Sequence, residues 1–377
     1  MAGFTLDALR RRPDVEGPNL VAADATDRLV LDEAAALLAA AGPGEVVTVG
    51  DRYGALTLGA VALHGVQGAR SHQDLRSGER ALALNAEGFG LTGTFTSGPL
   101  DATTLGGALV VLLQLPRSLD ALDEVATLVA AHADPGVMLV AGGRVKHMTV
   151  AMNDVLGRSF AQVRPSLARQ KSRVLVASGP RVDRPDPRWP VQERHDDLGI
   201  TVCAHGAAFA GTRIDLGTRV LLGVLEEAAP GAAVAVDLGC GTGVLATVLA
   251  TRRPGLRVVA TDDSAAAVAS AAATAVANGV ADRVRAVHDD AAGSLPDGSA
   301  DLVVLNPPFH VGAGLDTALA HKLFDAAARL LRPGGELWTV WNSHLQYRPA
   351  LERAIGPTRQ VVRDPRFTVT ASTRRSV

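Results

Sequence analysis

Two textures of apolar positions alternate along this chain. Short runs rich in valine, leucine and alanine end at glycine or at a polar side chain, and longer alanine- and leucine-rich stretches follow them. The first texture suits strands buried on both faces, the second suits helices packed over them. In the first half, Asp32 to Ala41 predicts a helix, and Glu45 to Val49 a strand running into Gly50-Asp51-Arg52-Tyr53-Gly54 and then a helical stretch. Gly78 to Asn85 predicts a helix ending near Gly88, Leu109 to Leu113 a buried strand, and Leu119 to Ala131 a helix. Pro135-Gly136 then turns the chain into a strand from Val137 to Val140.

The second half repeats this order. Ala233 to Leu238 predicts a strand, followed by a glycine-rich turn and a helix to about Arg252. Strands follow at Arg257 to Thr261, Val284 to His288 and Leu302 to Leu305, with a helix from Ala265 to Asn278 between the first two. A helix from Asp316 to Leu331, a turn at Pro333-Gly334-Gly335 and a strand from Glu336 to Val340 complete the series. Asp74 follows the first turn at nearly the spacing that separates Asp262 from Asp237. The ending Asn278-Gly279 has a counterpart at Asn85. Alternating strands and helices imply parallel sheets with right-handed crossovers, so the expectation is two tandem doubly wound, Rossmann-like α/β domains arising by duplication. Pro180, Pro185, Pro187 and Pro190 mark a stiff, solvated connection. The domains are therefore expected at 1–182 and 193–377, with a linker at 183–192.

Composition bounds this picture without changing it. At 377 residues and 38.9 kDa the chain is long enough for about two domains. It is 47% hydrophobic with a mean hydropathy of +0.17, which excludes a disordered chain. No apolar run approaches the roughly 18 residues of a membrane span, and Asp7 ahead of Arg10-Arg11-Arg12 is not the order of a signal peptide. Cys203 and Cys240 are too few for a disulfide framework or a cysteine-built zinc site. A cytoplasmic protein without a metal or a membrane partner is expected. The net charge of -2 is silent on nucleic acid, because local clusters decide that question.

Candidate chemistry begins at Val236-Asp237-Leu238-Gly239-Cys240-Gly241-Thr242-Gly243. Glycines let a backbone pass close to a ligand, and the helix that follows offers free N–H groups. The close Gly-x-Gly-x-Gly spacing differs from the spread dinucleotide form Gly-x-Gly-x-x-Gly. Acids also follow the next two strands, Asp262 and Asp290. A carboxylate at the first of these positions can accept both hydroxyls of a ribose, and one at the second can accept the amine of adenine. S-adenosylmethionine fits these features, with Asp237, Gly239, Cys240, Gly241, Gly243, Asp262, Asp290 and Asn306 as the expected cofactor contacts. An NAD site is the competing reading. Asp263 and Ser264 read as helix caps, and Cys240 as a small buried filler more often than a nucleophile.

The run Asp301-Leu302-Val303-Val304-Leu305 ends at Asn306-Pro307-Pro308-Phe309-His310. Two prolines forbid further ladder pairing, so an amide oxygen, a carbonyl and a flat ring are presented together at a sheet edge. That group suits a planar amine: Asn306 and the Pro307 carbonyl would accept its two N–H groups, and Phe309 would stack on a flipped base. A Pro-Pro turn closing a core strand is the plain structural alternative. Beside the glycine turn, this pentapeptide resembles the bacterial ribosomal RNA guanine-N2 methyltransferases. Phe209, Asp215-x-Gly217 and Asn342-Ser343-His344-Leu345-x-Tyr347 extend the resemblance over nearly the whole chain. Ala23-Asp24-Ala25-x-Asp27, Gly54-Ala55-Leu56 and Val140-Ala141-Gly142 lie closer to the large-subunit branch. The resemblance implies two class I methyltransferase domains, the N-terminal one degenerate, with catalytic Asn306, Pro307, Pro308 and Phe309. It also implies ribosomal RNA or a ribosomal particle as partner. The choice of guanine rests on the resemblance; the residues alone also allow adenine N6, a protein glutamine, or an RNA-binding assembly factor that holds the cofactor structurally.

The first half lacks both motifs, having Gly50-Asp51-Arg52-Tyr53-Gly54 and Gln114-Leu115-Pro116-Arg117 in their places. RNA recruitment is its expected role. Arg158, Arg164, Arg169, Lys171 and Arg173 run without an intervening acid, and Arg144, Lys146 and His147 lie upstream. The expected RNA contacts are Phe309, His310, Arg144, Lys146, Arg169 and Lys171, against a solvated surface as the alternative. Asp215 and Thr218 are read as folding over the methionine end of the cofactor or as opening a helix. A monomer is expected.

Overall fold

The computed structural model describes residues 3–17, 19–181, 188–308 and 313–376, and in it the two textures become two seven-stranded sheets with flanking helices. The chain divides into two units, Met1–Trp189 and Pro190–Val377. The division falls within the proline-rich stretch 183–192. Of that stretch, 183–187 lies outside the described residues, and Val191 and Gln192 already belong to a strand.

In unit 1 the order is α1 (Ala25–Ala40), β1 (Val46–Val49), α2 (Ala55–His64), β2 (Ala69–His72), α3 (Arg76–Phe89), β3 (Phe95–Ser97) and α4 (Ala102–Leu105). Then come β4 (Val110–Gln114), α5 (Leu119–His132), β5 (Met138–Arg144), α6 (Ala151–Ser159), β6 (Phe160–Pro165) and β7 (Ser172–Pro180). Unit 2 opens with a hairpin, β8 (Val191–His195) and β9 (Ile200–Ala204), and continues with α7 (Leu216–Leu222), β10 (Val234–Leu238), α8 (Val244–Arg252), β11 (Arg257–Asp262), α9 (Ala265–Ala277) and β12 (Val284–His288). It closes with β13 (Ala300–Leu305), α10 (Ala313–Leu330), β14 (Leu331–Asn342), α11 (Arg348–Ala354), β15 (Thr358–Arg363) and β16 (Phe367–Thr373).

The sheets run β3-β2-β1-β4-β5-β7-β6 and β12-β11-β10-β13-β14-β16-β15, the same order in both units. Five strands of each are parallel, but β7 and β16 run antiparallel to both neighbours, so the all-parallel expectation fails at one edge. Strand β13 shows what the core demands. All six of its residues are buried. Leu302 and Val304 join a cluster with Leu249 and Trp338 on one face, while Val303 and Leu305 join Phe324 and Tyr347 on the other. Burial of each such valine or leucine contributes about 1.5–3 kcal/mol.

Strand order reverses between β10 and β13, and crevices of open α/β sheets lie at such switch points, beyond the carboxyl ends of the strands. Leu238 pairs with Leu305 in the ladder, so Gly239 and Asn306 leave the sheet side by side.

Candidate active site

The turn after β10 is built on positive φ: +74° at Gly239, +52° at Gly241 and +74° at Gly243. Gly239 N–H donates to the Thr261 carbonyl at 2.8 Å, tying the turn to β11. A Cβ at Gly241 would meet open space, whereas one at Gly243 would lie 2.7 Å from Ala271 Cβ. Gly241 therefore leaves room for a ligand, and Gly243 lets α8 sit against α9.

Two carboxylates support this turn from different sides. Asp262, the last residue of β11, accepts Gly241 N–H at 2.9 Å on one oxygen and Ser264 N–H at 2.9 Å on the other. It is half-buried, at the end of the strand beside the turn. Asp237 is only 1% exposed and accepts Ala246 N–H of α8 at 3.0 Å. Its second oxygen, Oδ1, is buried with no hydrogen-bond partner among the described residues. Burial pushes its carboxyl up to about 7, and the charge of Asp262 adds to the rise. Asp237 thus underpins the turn and offers one bare acceptor. Cys240 packs into the core, and burial raises its thiol well above the usual range, so it is no thiolate.

Asp290 follows β12 and is 8% exposed. The sequence reading left it open for an amine, but Lys322 Nζ of α10 lies 2.5 Å from its Oδ1. Sequence spacing gives no sign of this lysine, which reaches Asp290 from another helix.

Asn306 is the best defined group of the site. Its Nδ2 donates to Asp215 Oδ2 at 3.0 Å and to Thr218 Oγ1 at 2.9 Å. Its Oδ1 is buried and has no partner among the described residues. Asp215 also caps α7 by accepting the N–H groups of Gly217 and Thr218. Both sequence readings of the Asp215 and Thr218 pair missed this link to the amide. Pro307 is buried and Pro308 exposed; Phe309 and His310 lie outside the described residues. The motif after β14 is structural: Ser343 hydroxyl bonds to Thr368 on β16, and the buried Tyr347 ring packs edge-on against Phe324.

Unit 1 keeps the frame and changes the residues at the opening. Val49 pairs with Leu113, as Leu238 pairs with Leu305, so Gln114 stands where Asn306 does. Gly50 (φ +72°) and Gly54 (φ +89°) match Gly239 and Gly243, which sets Arg52 at the position of Gly241. Asp51 assumes the work of Asp237, accepting Thr57 N–H of α2, and burial raises its carboxyl as well. Gly50 N–H bonds to the His72 carbonyl as Gly239 N–H does to that of Thr261, so Gln73, not Asp74, matches Asp262. Gln114, Asp27, Arg52 and Arg117 line a cavity of about 280 Å³.

The cationic residues disperse. Arg158 pairs with Asp123, Arg169 with Asp32, and Arg144 with Asp24 at 3.6 Å. Lys146 and Lys171 are exposed and pair with no acid among the described residues. Val145 N–H bonds to the Lys171 carbonyl at 2.9 Å, which brings the two turns together. Among the described residues no helix is long and apolar enough to cross a membrane, and no group of three or more His, Cys, Asp or Glu could hold a metal ion.

Comparison with known proteins agrees with this arrangement. Residues 3–181 match the RLMG N-terminal domain and residues 199–371 the methyltransferase small domain. A ribosomal RNA large subunit methyltransferase G of Streptomyces coelicolor is 36% identical over 374 residues, covering 96% of each chain. One of Pseudomonas aeruginosa is 35% identical over 365 residues, again covering 96% of each. Among solved structures, a T. thermophilus 16S rRNA N2 methyltransferase in complex with AdoMet and guanosine shares the fold. Its TM-score is 0.74 at 23% identity, over 93% of this chain and 92% of that one. With both halves matched and curated relatives aligned from end to end, this chain belongs to the ribosomal RNA large subunit methyltransferase G family.

Proposed function

We propose that this chain methylates the exocyclic N2 of a guanine in large-subunit ribosomal RNA, in the cytoplasm, with S-adenosylmethionine as donor and unit 2 as the catalytic unit. One observation carries the reading: Asn306 presents an amide oxygen at the switch point that is buried with no partner among the described residues, beside a glycine turn with open space above Gly241. The names of the curated relatives support the ribosomal substrate. The guanosine and AdoMet named for the T. thermophilus structure support the base and the cofactor.

The residues present fit that cofactor. Asp262 would accept ribose hydroxyls, the Gly239–Gly243 backbone would pass beneath the ligand, and Asp237 Oδ1 would accept an N–H from it. Asp290, paired with Lys322, would border the adenine. When bound, S-adenosylmethionine supplies an electrophilic methyl group. The chain's own work is to hold the nucleophile. A guanine amine is a poor nucleophile because its lone pair is delocalised into the ring. Asn306 Oδ1 and the Pro307 carbonyl would accept its two N–H groups and favour a pyramidal nitrogen, and Phe309 would stack on the flipped base. Positioning of this kind can contribute about 7 kcal/mol or more to lowering a barrier. Unit 1, with Arg144, Lys146, Arg169 and Lys171, would draw the RNA in through its phosphates.

Labelled S-adenosylmethionine, ribosomal subunits or their RNA, and mass analysis of the nucleosides test the reading. Wild type should give N2-methylguanosine, and Asn306→Ala should cut the rate by about 100-fold or more. Label on adenine N6, label on protein, or full activity of the alanine variant would overturn it.

A further inference from the structure

We propose that Asp215 and Thr218 are positioning residues that fix the orientation of the Asn306 amide and so decide which of its atoms meets the target amine. The proposal rests on the function given above. An amide is nearly symmetric in shape, and exchanging Oδ1 with Nδ2 puts a donor where an acceptor stood. An exocyclic amine offers N–H groups, so a donor facing it would repel it. One of the two orientations of Asn306 is therefore useless for chemistry.

Asp215 breaks the symmetry. Its Oδ2 is held at the start of α7 by Gly217 N–H at 2.8 Å and Thr218 N–H at 3.2 Å. That oxygen already accepts two N–H groups, and the amide atom 3.0 Å from it is Nδ2, a third donor. Thr218 Oγ1 takes the second amide hydrogen at 2.9 Å. With both donors used, the amide turns Oδ1 away, and that atom is the buried one without a partner among the described residues. Gly217 makes room for this: a Cβ there would lie 3.4 Å from Asn306 Oδ1 and 3.0 Å from Asp215 Oδ2. In unit 1 the register counterpart Gln114 donates its Nε2 to Asp27, also at the start of a helix. Tethering the amide is thus part of the frame of both units. Unit 2 differs in the amide that is tethered, an asparagine whose Oδ1 is buried with no partner among the described residues.

Three variants separate orientation from mere structure. Asp215→Asn keeps a good helix cap but can turn either a donor or an acceptor to Asn306. Thr218→Val keeps the shape and loses the hydroxyl, and Thr218→Ser keeps the hydroxyl. On ribosomal RNA, Asp215→Asn and Thr218→Val should lower kcat by about tenfold or more, with KM for S-adenosylmethionine changed by less than about threefold, while Thr218→Ser restores the rate. In an Asn306→Ala background, followed in single turnovers, Thr218→Val should change the residual rate by less than about twofold, because no amide is left to orient. Equal losses in both backgrounds would overturn the proposal. So would a raised KM for S-adenosylmethionine at unchanged kcat, which assigns the pair to the cofactor, or wild-type rates in both variants. Failure of the underlying function shows elsewhere, in a wild type that leaves guanine N2 unmethylated. Circular dichroism and melting midpoints check that each variant folds.

Discussion

Asp237 lies beneath the glycine turn with one carboxylate oxygen unpartnered among the described residues, and burial, which pushes its carboxyl up to about 7, makes it a measurable liability. Below the ordinary carboxylate range, folded and unfolded chains both hold the proton, and the group costs nothing. As pH rises from about 4 through about 7, the unfolded chain ionises first, so the stability associated with this group is progressively lost. Asp237→Asn keeps an acceptor for Ala246 N–H and does not titrate. Its melting midpoint relative to wild type should therefore rise between about pH 5 and about pH 8. Parallel loss of stability in both proteins over that interval would refute the buried-acid account. At this scale the sequence was a partial guide. Asp262 accepts Gly241 N–H, a contact that the ribose role expected of it did not include. Asp237 was expected among the cofactor contacts, and its burial beneath the turn was not legible, because it depends on α8 folding back over it. Lys322 was invisible because its partner Asp290 is 32 residues away on another element.

Elements were legible where burial imposes a simple texture. The parallel strands β1, β4, β10, β11, β12 and β13 came out within a residue or two; β1, β4, β10 and β13 are the plainest, covered on both faces and apolar almost throughout. The antiparallel edges were missed. Strands β6, β8 and β15 are largely exposed, so their sequences carry charge and little periodicity. The seven residues of α7 are too few to show a helical repeat, yet they hold Asn306 in place. Within the legible part, the glycines of the turn after β10 separate into two jobs that sequence could not tell apart. Gly241→Ala adds a methyl group in open space at φ +52°, so it should cost about 1 kcal/mol of stability and much of the affinity for S-adenosylmethionine. Gly243→Ala drives a Cβ to 2.7 Å from Ala271, so its damage should appear as a melting midpoint lowered by several degrees. Calorimetric titration and thermal unfolding of the pair check this. Equal affinity of Gly241→Ala and wild type would remove the turn from the cofactor site.

The duplication was legible in the whole molecule because strand and helix recur in one order, and the structure gives both sheets the same strand sequence. What separates the units is chemical. Arg52 stands at the position of Gly241 and Gln114 at that of Asn306, so unit 1 keeps the frame without the glycine and the asparagine of unit 2. If unit 1 serves recruitment, cofactor binding and RNA binding should come apart when the chain is cut. Each unit has its own sheet and two hydrophobic clusters of its own, so residues 190–377 should unfold cooperatively when isolated. That fragment should bind S-adenosylmethionine as the full chain does and ribosomal RNA more weakly. The exposed Lys146 and Lys171 are the first candidates for phosphate contacts. Replacing both with alanine in the full chain should flatten the slope of log affinity against log salt by roughly 1.5, two contacts' worth, without changing cofactor affinity. An RNA affinity of the fragment equal to that of the full chain would assign recruitment to unit 2. An unchanged salt slope in the double variant would move the contacts elsewhere on unit 1.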